Sequence, residues 1–204
     1  MAPVFGLEPS CIPACYHGTM KQIIFVTGNK NKVREAKAIV GPQTQIVQRR
    51  HDLDEIQELD VKKIVAHKLA QAYAIYKQPV IVEDVSFEVK QWHGFPGPFI
   101  KWMENTITAS QIPSLLRSRD RAVVYRVVYG YSDGNQTKFF QGIQRGSISK
   151  KAKGTDGFGF DSIFIPEGQR KTVAELGQEH KNKTSARFQA LHKLKRFLSS
   201  ESTL

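Results

Sequence analysis

The chain has 204 residues, 40% of them hydrophobic and 24% charged, which excludes wholesale disorder and a coiled coil and suits one globular domain. Thirty Lys and Arg against nineteen Asp and Glu leave a formal charge of +11, an excess that draws anions, and on charge alone nucleic acid, an anionic membrane surface and a polyphosphate substrate are all open. No apolar run reaches the ~20 residues of a membrane span, the first residues lack the basic and apolar stretches of a secretory leader, and both cysteines (Cys11 and Cys15) lie near the start, so a disulfide-free, cytoplasmic protein is expected.

Residues 1–20 carry three of the nine prolines and no clean period, and read as an extension or linker. The domain is expected over 21–198, with a frayed tail at 199–204. Gln22–Val26 is a short apolar run, consistent with a buried strand, broken by Thr27-Gly28-Asn29. Lys32–Val40 reads as a helix stopped by Gly41-Pro42. Gln45–Val47 is a second strand. Apolar residues at 61, 64, 65, 69, 73 and 76 recur at helical spacing. Pro79–Val82 reads as a strand ending at Glu83-Asp84, and the alternation at Phe87 and Val89 as another. Arg121–Tyr131 and Thr137–Ile148 flank Asp133-Gly134-Asn135, a hairpin signal. A strand at Ser162–Ile165 and a helix from Ser185 to Leu198 close the chain. A βαβ start followed by a hairpin indicates an α/β fold with a mixed sheet.

The chemistry gathers just after strands, where open α/β sheets bind ligands. At Thr27–Lys32 a strand ends, Gly28 permits a tight turn and a helix begins, so unpaired helix N–H groups and Lys32 can cradle a phosphate. A plain helix cap is the simpler reading of that segment alone. Glu83-Asp84 pairs two carboxylates able to hold Mg²⁺ and activate water, and His51-Asp52-Leu53-Asp54-Glu55 can add another oxygen. Gly94–Trp102 is a stiff loop of two glycines and two prolines leading to Lys101 on a following helix turn. Gly157-Phe158-Gly159-Phe160-Asp161 offers aromatics that can stack on a base or fill a core. Lys181, Ser185 and Arg187 present donors suited to an anion or a carbonyl.

In this order the motifs resemble the inosine triphosphate pyrophosphatase family. The matching pieces are Phe25–Asn29 with Lys32, Val82-Glu83-Asp84, Phe95–Trp102, Gly157–Asp161, Ala174-Glu175-Leu176, and Lys181-Asn182 followed by Ser185 and Arg187. The resemblance spans about 21–198 and implies an elongated mixed sheet with helices in two lobes, an active-site cleft between them, and a homodimer. It implies hydrolysis of non-canonical purine nucleoside triphosphates (ITP, dITP and XTP) to monophosphate and pyrophosphate, with Mg²⁺ or its substitute Mn²⁺. Carried over residue by residue, it places Thr27, Gly28, Asn29, Lys30, Asn31, Lys32, Lys68 and Lys101 at the triphosphate. Glu55 and Asp84 fall at the metal, with Asp84 and Lys32 catalytic and Val85 beside them. Phe158, Gly159, Phe160, Asp161, Lys181, Ala186 and Arg187 fall at the base.

Two positions depart from the family pattern: Ala186 stands where His is usual, and Phe160 where Trp or Tyr is common. Both concern base selection, so a family member with broader nucleotide specificity is one alternative. A basic RNA- or DNA-binding module is another, but Glu55, Glu83 and Asp84 beside a phosphate loop would repel nucleic acid, and neither nucleic acid nor membrane is expected as a partner.

Overall fold

The computed structural model describes residues 21–200; the expected extension at 1–20, its two cysteines, and positions 201–204 lie outside the described residues. Its elements run β1 (Lys21–Val26), α1 (Lys30–Val40), β2 (Thr44–Arg49), α2 (Val61–Tyr76), β3 (Val80–Val89), β4 (Pro96–Gly97), α3 (Ile100–Thr106), α4 (Ile112–Leu115), β5 (Ala122–Ser132), β6 (Thr137–Ile148), β7 (Phe164–Pro166), α5 (Val173–Thr184) and α6 (Ala186–Ser200). The strands form one mixed sheet in the order β2-β1-β3-β5-β6-β7, with β4 also paired to β3. β1 is parallel to β2 and β3, and the remaining pairs are antiparallel. The α/β class, the mixed sheet and the Asp133 hairpin match the sequence reading. α6 runs to Ser200, two residues beyond the expected domain end.

Strand alternation distributes the core over both faces of the sheet. Ile23, Phe25 and Ile81 pack under α1 and α6 with Ile39, Leu191, Leu194 and Leu198. Ile24, Val26, Val80 and Val82 pack under α2 with Val65 and Leu69. Beyond the middle of β3 and β5 a third cluster begins, in which Phe87, Val89 and Val123 meet Ile100, Met103, Ile112, Ile163 and Phe164. Each fully buried Ile, Leu or Phe contributes about 1.5–3 kcal/mol by leaving water, so each lobe has its own apolar support. The long strands β3 and β5 join the two lobes.

One sequence expectation is corrected here. Residues 79–89 are not two strands interrupted at Glu83-Asp84 but a single strand, β3, paired with β5 at ten consecutive positions from Val80↔Ser132 to Val89↔Val123. The continuous partner carries the two acids through the strand, where isolated hydropathy reads a break. Helix α5 is an element the sequence reading missed. Its capping box (Thr172 with Glu175) is a local start signal, but Gly177, at φ 83°, breaks its period in the middle. Gly142 has a packing reason: a Cβ there would collide with the Ala186 carbonyl oxygen at the start of α6.

Candidate active site

The cleft follows from where β1 stops. β1 pairs with β3 at Val80 and Ile81, and β4 pairs with it at Phe87 and Glu88. Between them, among the described residues, no strand covers that edge of β3 over positions 82–86. Into this gap open the β1–α1 loop, the 51–55 segment, α3, the 158–161 turn and the ends of α5 and α6, around a cleft of 1050 Å³.

Because side chains alternate, Glu83 and Asp84 face opposite sides of the sheet and do different work. Asp84 faces α2, where its Oδ2 accepts a hydrogen bond of 2.9 Å from Lys68 Nζ, while Oδ1 accepts 2.8 Å from the Val85 N–H. Lys68 Nζ also donates to Glu55 Oε1 at 2.9 Å, so one ammonium bridges two carboxylates. Burial alone would lower the Lys68 pKa, but Asp84 and Glu55 outweigh it and raise it. Burial likewise pushes Glu55 up, yet Lys68, Lys101 and Lys32 together hold it below its ordinary range. Lys101 Nζ stands 3.9 Å from Glu55 on a mostly exposed side chain.

Glu83 faces α1 and α6 and is fully buried. Arg187 Nη2 donates to its Oε1 at 3.1 Å, and Lys32 Nζ stands 3.1 Å from Oε2 as an ion pair rather than a directed hydrogen bond. Glu83 and Asp84, adjacent in sequence, are therefore not side by side in space; Asp84 instead approaches Glu55 through Lys68, the two acids that the resemblance assigned to a metal.

The β1–α1 loop has the strand, turn and capped helix read from the sequence. Asn29 caps α1: its Oδ1 accepts from the N–H of Asn31 at 2.9 Å and of Lys32 at 3.3 Å. Thr27 Oγ1 accepts from the Asn29 N–H at 3.1 Å, and Gln48 fixes the Thr27 carbonyl from β2 at 2.9 Å. The loop thus begins at a pinned strand end and leads into a helix N-terminus, whose partial positive charge favours an anion.

At the other end, Glu35, Lys181, Arg187 and Asp161 form a buried charge network. Lys181 Nζ bridges Glu35 Oε1 at 3.0 Å and Asp161 Oδ2 at 2.6 Å and lies 4.0 Å above the centre of the Phe158 ring. Arg187 donates to Glu35 and Glu83, with the Tyr125 hydroxyl 3.5 Å from Nη2. Burial tends to raise the Glu35 pKa, but Arg187 and Lys181 win and lower it. For Asp161 burial, with help from the Glu35 charge, prevails over Lys181 and raises it. Phe158 keeps one half-buried face toward the cleft. Phe160 is mostly core, stacked on Phe87 with centroids 4.3 Å apart, although it still contributes to the cleft wall.

Every residue that the family resemblance places at the site lines this cleft except Lys30 and Ala186; Ser185, read from the sequence as a further donor, is buried outside it, its hydroxyl accepting from the Phe188 N–H. Lys30 begins α1 with its side chain exposed. Ala186 is a correction: it is fully buried as the first residue of α6, with its methyl in the core under α1 and α6. Its neighbour Arg187 turns inward to the carboxylates. Glu104 and Tyr125, which line the cleft, and Glu35, buried behind Arg187 and Lys181, escaped the sequence reading. Glu35 had a signal, because it is a lone acid on the apolar stripe Ala36, Ile39, Val40 of α1. Tyr125 and Glu104 had none, since their positions depend on where β5 and α3 meet the gap.

Among the described residues no group of three or more His, Cys, Asp or Glu gathers to hold a metal ion. Glu55 and Asp84 still offer hard oxygen donors on either side of one positive charge. That donor set fits a divalent ion whose remaining ligands are phosphate oxygens and water. No helix among the described residues is long and apolar enough to cross a membrane.

Comparison with known proteins gives consistent matches. The sequence model of the Ham1 family matches residues 23–197. The inosine triphosphate pyrophosphatase of Schizosaccharomyces pombe is 37% identical over 185 residues, covering 89% of this chain and 97% of that protein. The dITP/XTP pyrophosphatase of Saccharolobus solfataricus is 38% identical over 177 residues, covering 86% of this chain and 92% of that protein. Among solved structures, a HAM1 protein from Coxiella burnetii superposes with a TM-score of 0.77 at 22% identity, covering 89% of this chain and all of that one.

Proposed function

The chain belongs to the Ham1 family, and from that premise we propose that it hydrolyses the non-canonical purine nucleoside triphosphates ITP, dITP and XTP to the monophosphate and pyrophosphate. The observation that carries this reading is the two-ended cleft. A phosphate loop and a lysine-bridged acid pair stand at one end, and an aromatic face under two cations at the other.

The triphosphate lies on the Thr27–Lys32 loop. Lys32, Lys68 and Lys101 neutralise its charge, and the α1 N-terminus adds backbone donors. Glu55 and Asp84 would hold Mg²⁺, which would neutralise charge at the phosphates and lower the pKa of a bound water. Asp84 orients a water molecule toward the α-phosphorus and takes its proton. The new P–O bond forms as the bond from the α-phosphorus to the bridging oxygen breaks, and pyrophosphate leaves with that oxygen. At the far end the purine stacks on Phe158. Lys181 and Arg187 favour a 6-keto oxygen, which accepts hydrogen bonds, over the 6-amino group of adenine, which donates them. Two copies of the chain form the working unit in this reading, on the strength of the family resemblance.

The experiment is product analysis with ITP, dITP, XTP and ATP in the presence and absence of Mg²⁺. Metal-dependent pyrophosphate release with ATP the poorest substrate is expected. Stepwise release of orthophosphate overturns the proposal.

A further inference from the structure

The cleft does not account for the charge of the chain. Five cations and seven carboxylates line it, so it is acidic on balance, while the whole chain stands at +11. The excess lies elsewhere, and part of it is collected on one surface of the lobe built around Phe87, Ile148 and Phe164.

Three loops make this surface. The loop before β5 carries Arg117 and Arg119, both exposed. The loop after β6 carries Lys150, Lys151 and Lys153, all exposed. The loop after β7 carries Arg170 and Lys171, exposed as well. Hydrogen bonds lace the loops together. Arg121 Nη2 donates to the Ser149 carbonyl oxygen at 2.7 Å and Nε to that of Ile148 at 2.6 Å, which fixes the first loop to the second. Thr172 Oγ1 donates to the Lys153 carbonyl oxygen at 2.8 Å, which fixes the second to the third.

Among the described residues, none of those seven side chains has an ion pair. Asp120 is taken by Lys90 at 2.9 Å. Of the flanking acids Asp156, Glu167 and Glu175, the last accepts from the Thr172 N–H at 2.8 Å. Like charges gathered without partners repel one another, so the surface is suited to a ligand that brings several negative charges at intervals.

The loops narrow the choice of polyanion. Residues 117–121, 149–153 and 167–171 include no aromatic or large aliphatic side chain to insert into a membrane. The cations sit on loops rather than on a helix or β-ribbon shaped for a duplex groove. Lys and Arg both bind phosphate, Arg through parallel N–H donors, and a flexible strand with one phosphate per nucleotide can follow an irregular surface. The carboxylates that would repel nucleic acid at the cleft are not among these loops. Going beyond the proposed catalysis, we propose that the three loops form a docking surface for a single-stranded polynucleotide, held through its phosphodiester backbone without base readout.

The test measures fluorescence anisotropy of a labelled oligouridylate of about 20 nucleotides, longer than a typical single-domain site, with the full chain over a range of KCl concentrations. Its 5′ end is a hydroxyl, so no terminal phosphate competes for the cleft. A Kd on the order of 10⁻⁵ M near 0.1 M salt is expected, and four or five phosphate contacts should give a slope of log Kobs against log salt of about −3. Lys150→Glu with Lys151→Glu should weaken binding about tenfold or more and make the slope shallower by about 1, with ITP turnover and the unfolding midpoint close to the parent's. Arg170→Glu with Lys171→Glu, on another loop, should act in the same direction. Arg34→Glu with Lys37→Glu reverses as many charges on exposed positions of α1 and should weaken binding less than about threefold. The matching deoxy oligomer should bind within about threefold of the RNA, since the phosphates are common to both. Equal losses from the loop and α1 variants would show attraction to net charge alone and overturn the inference. Affinity unmoved by either loop variant overturns it too, as does a preference above tenfold between RNA and DNA, because the sugar would then be read. Tighter binding of polyglutamate or of phosphatidylserine vesicles, at equal concentration of charge, overturns it in favour of an acidic protein segment or a membrane.

Discussion

The two ends of the cleft are built differently. The end proposed to hold the phosphates has a loop made from neighbours in sequence: Thr27, Asn29 and Lys32 are organised by hydrogen bonds spanning two or three residues, and the lysine–acid bridge beside it is partly open to solvent. The end proposed to hold the base is made from residues far apart in sequence. Arg187 reaches Glu35 from 152 positions away and Glu83 from 104. Those charges are buried, and they tie α1, β3 and α6 into one body. At the first end a charge can change without emptying the core. At the second, the side chains proposed for recognition also carry the stability of the buried network.

The sharpest way to separate the two is a pair of substitutions. Asp84→Asn keeps the shape of the side chain and leaves Lys68 an acceptor, but removes the charge and the proton acceptor. Turnover should fall ~10²–10⁴-fold, with the unfolding midpoint close to that of the parent. Activity within tenfold of the parent would move the proton acceptor to another group. Arg187→Met should do the reverse of a clean functional change. It leaves Glu35 and Glu83 buried without their guanidinium, and breaking such a pairing destabilises by about 3–5 kcal/mol. Denaturant unfolding measures this, and a loss under ~1 kcal/mol would show that Lys181 and Lys32 suffice to hold both acids.

The same contrast explains how much was legible in the sequence. The α/β order, the phosphate loop and the hairpin follow from periodicity, turn residues and capping, which are local. The family motifs brought Lys68, Glu55 and Asp84 to one place. The separate faces of Glu83 and Asp84 were not legible, because they depend on the ten-residue pairing of β3 with β5. Ala186 was misplaced for a related reason. Its neighbour Arg187 is a cleft residue, but the first turn of α6 directs Arg187 to the carboxylates and Ala186 to the core. Glu35 showed only its place on the apolar stripe of α1, and the cleft positions of Tyr125 and Glu104 arise from tertiary contacts that no window of sequence contains.

A smaller effect tests the aromatic wall. Phe158 carries Lys181 and Arg187 over its ring and lines the cleft at the end proposed for the base. Phe158→Leu keeps an apolar residue and removes stacking, worth about 1–3 kcal/mol per base. KM for ITP should rise more than tenfold with a smaller change in kcat, and the affinity for inorganic pyrophosphate should stay the same. A matching loss for pyrophosphate would mean that the substitution has disturbed the whole cleft. Phe160→Leu, by contrast, should act on stability through its stack with Phe87.

The smallest effect is on pH dependence and isolates Glu35. Burial by itself would favour its neutral form, but Arg187 and Lys181 prevail and its pKa in the fold lies below the ordinary value of 4.5. A carboxyl with a depressed folded pKa binds its proton more readily in the unfolded chain. Its contribution to stability is therefore fully present above that ordinary value and is lost as pH falls through the lower folded value. Asp161, raised in the fold chiefly by burial, works with the opposite sign and favours the folded state on acidification. In Glu35→Gln the first term vanishes and the second remains. The variant should be less stable than the parent at pH 7, because Arg187 and Lys181 lose a charged partner, and the gap should narrow as pH is lowered below 4.5. Denaturant unfolding of both proteins across that range is the measurement. A gap that stays constant with pH would mean that Glu35 has the same proton affinity folded and unfolded, and that the network's electrostatic support comes from Glu83 instead.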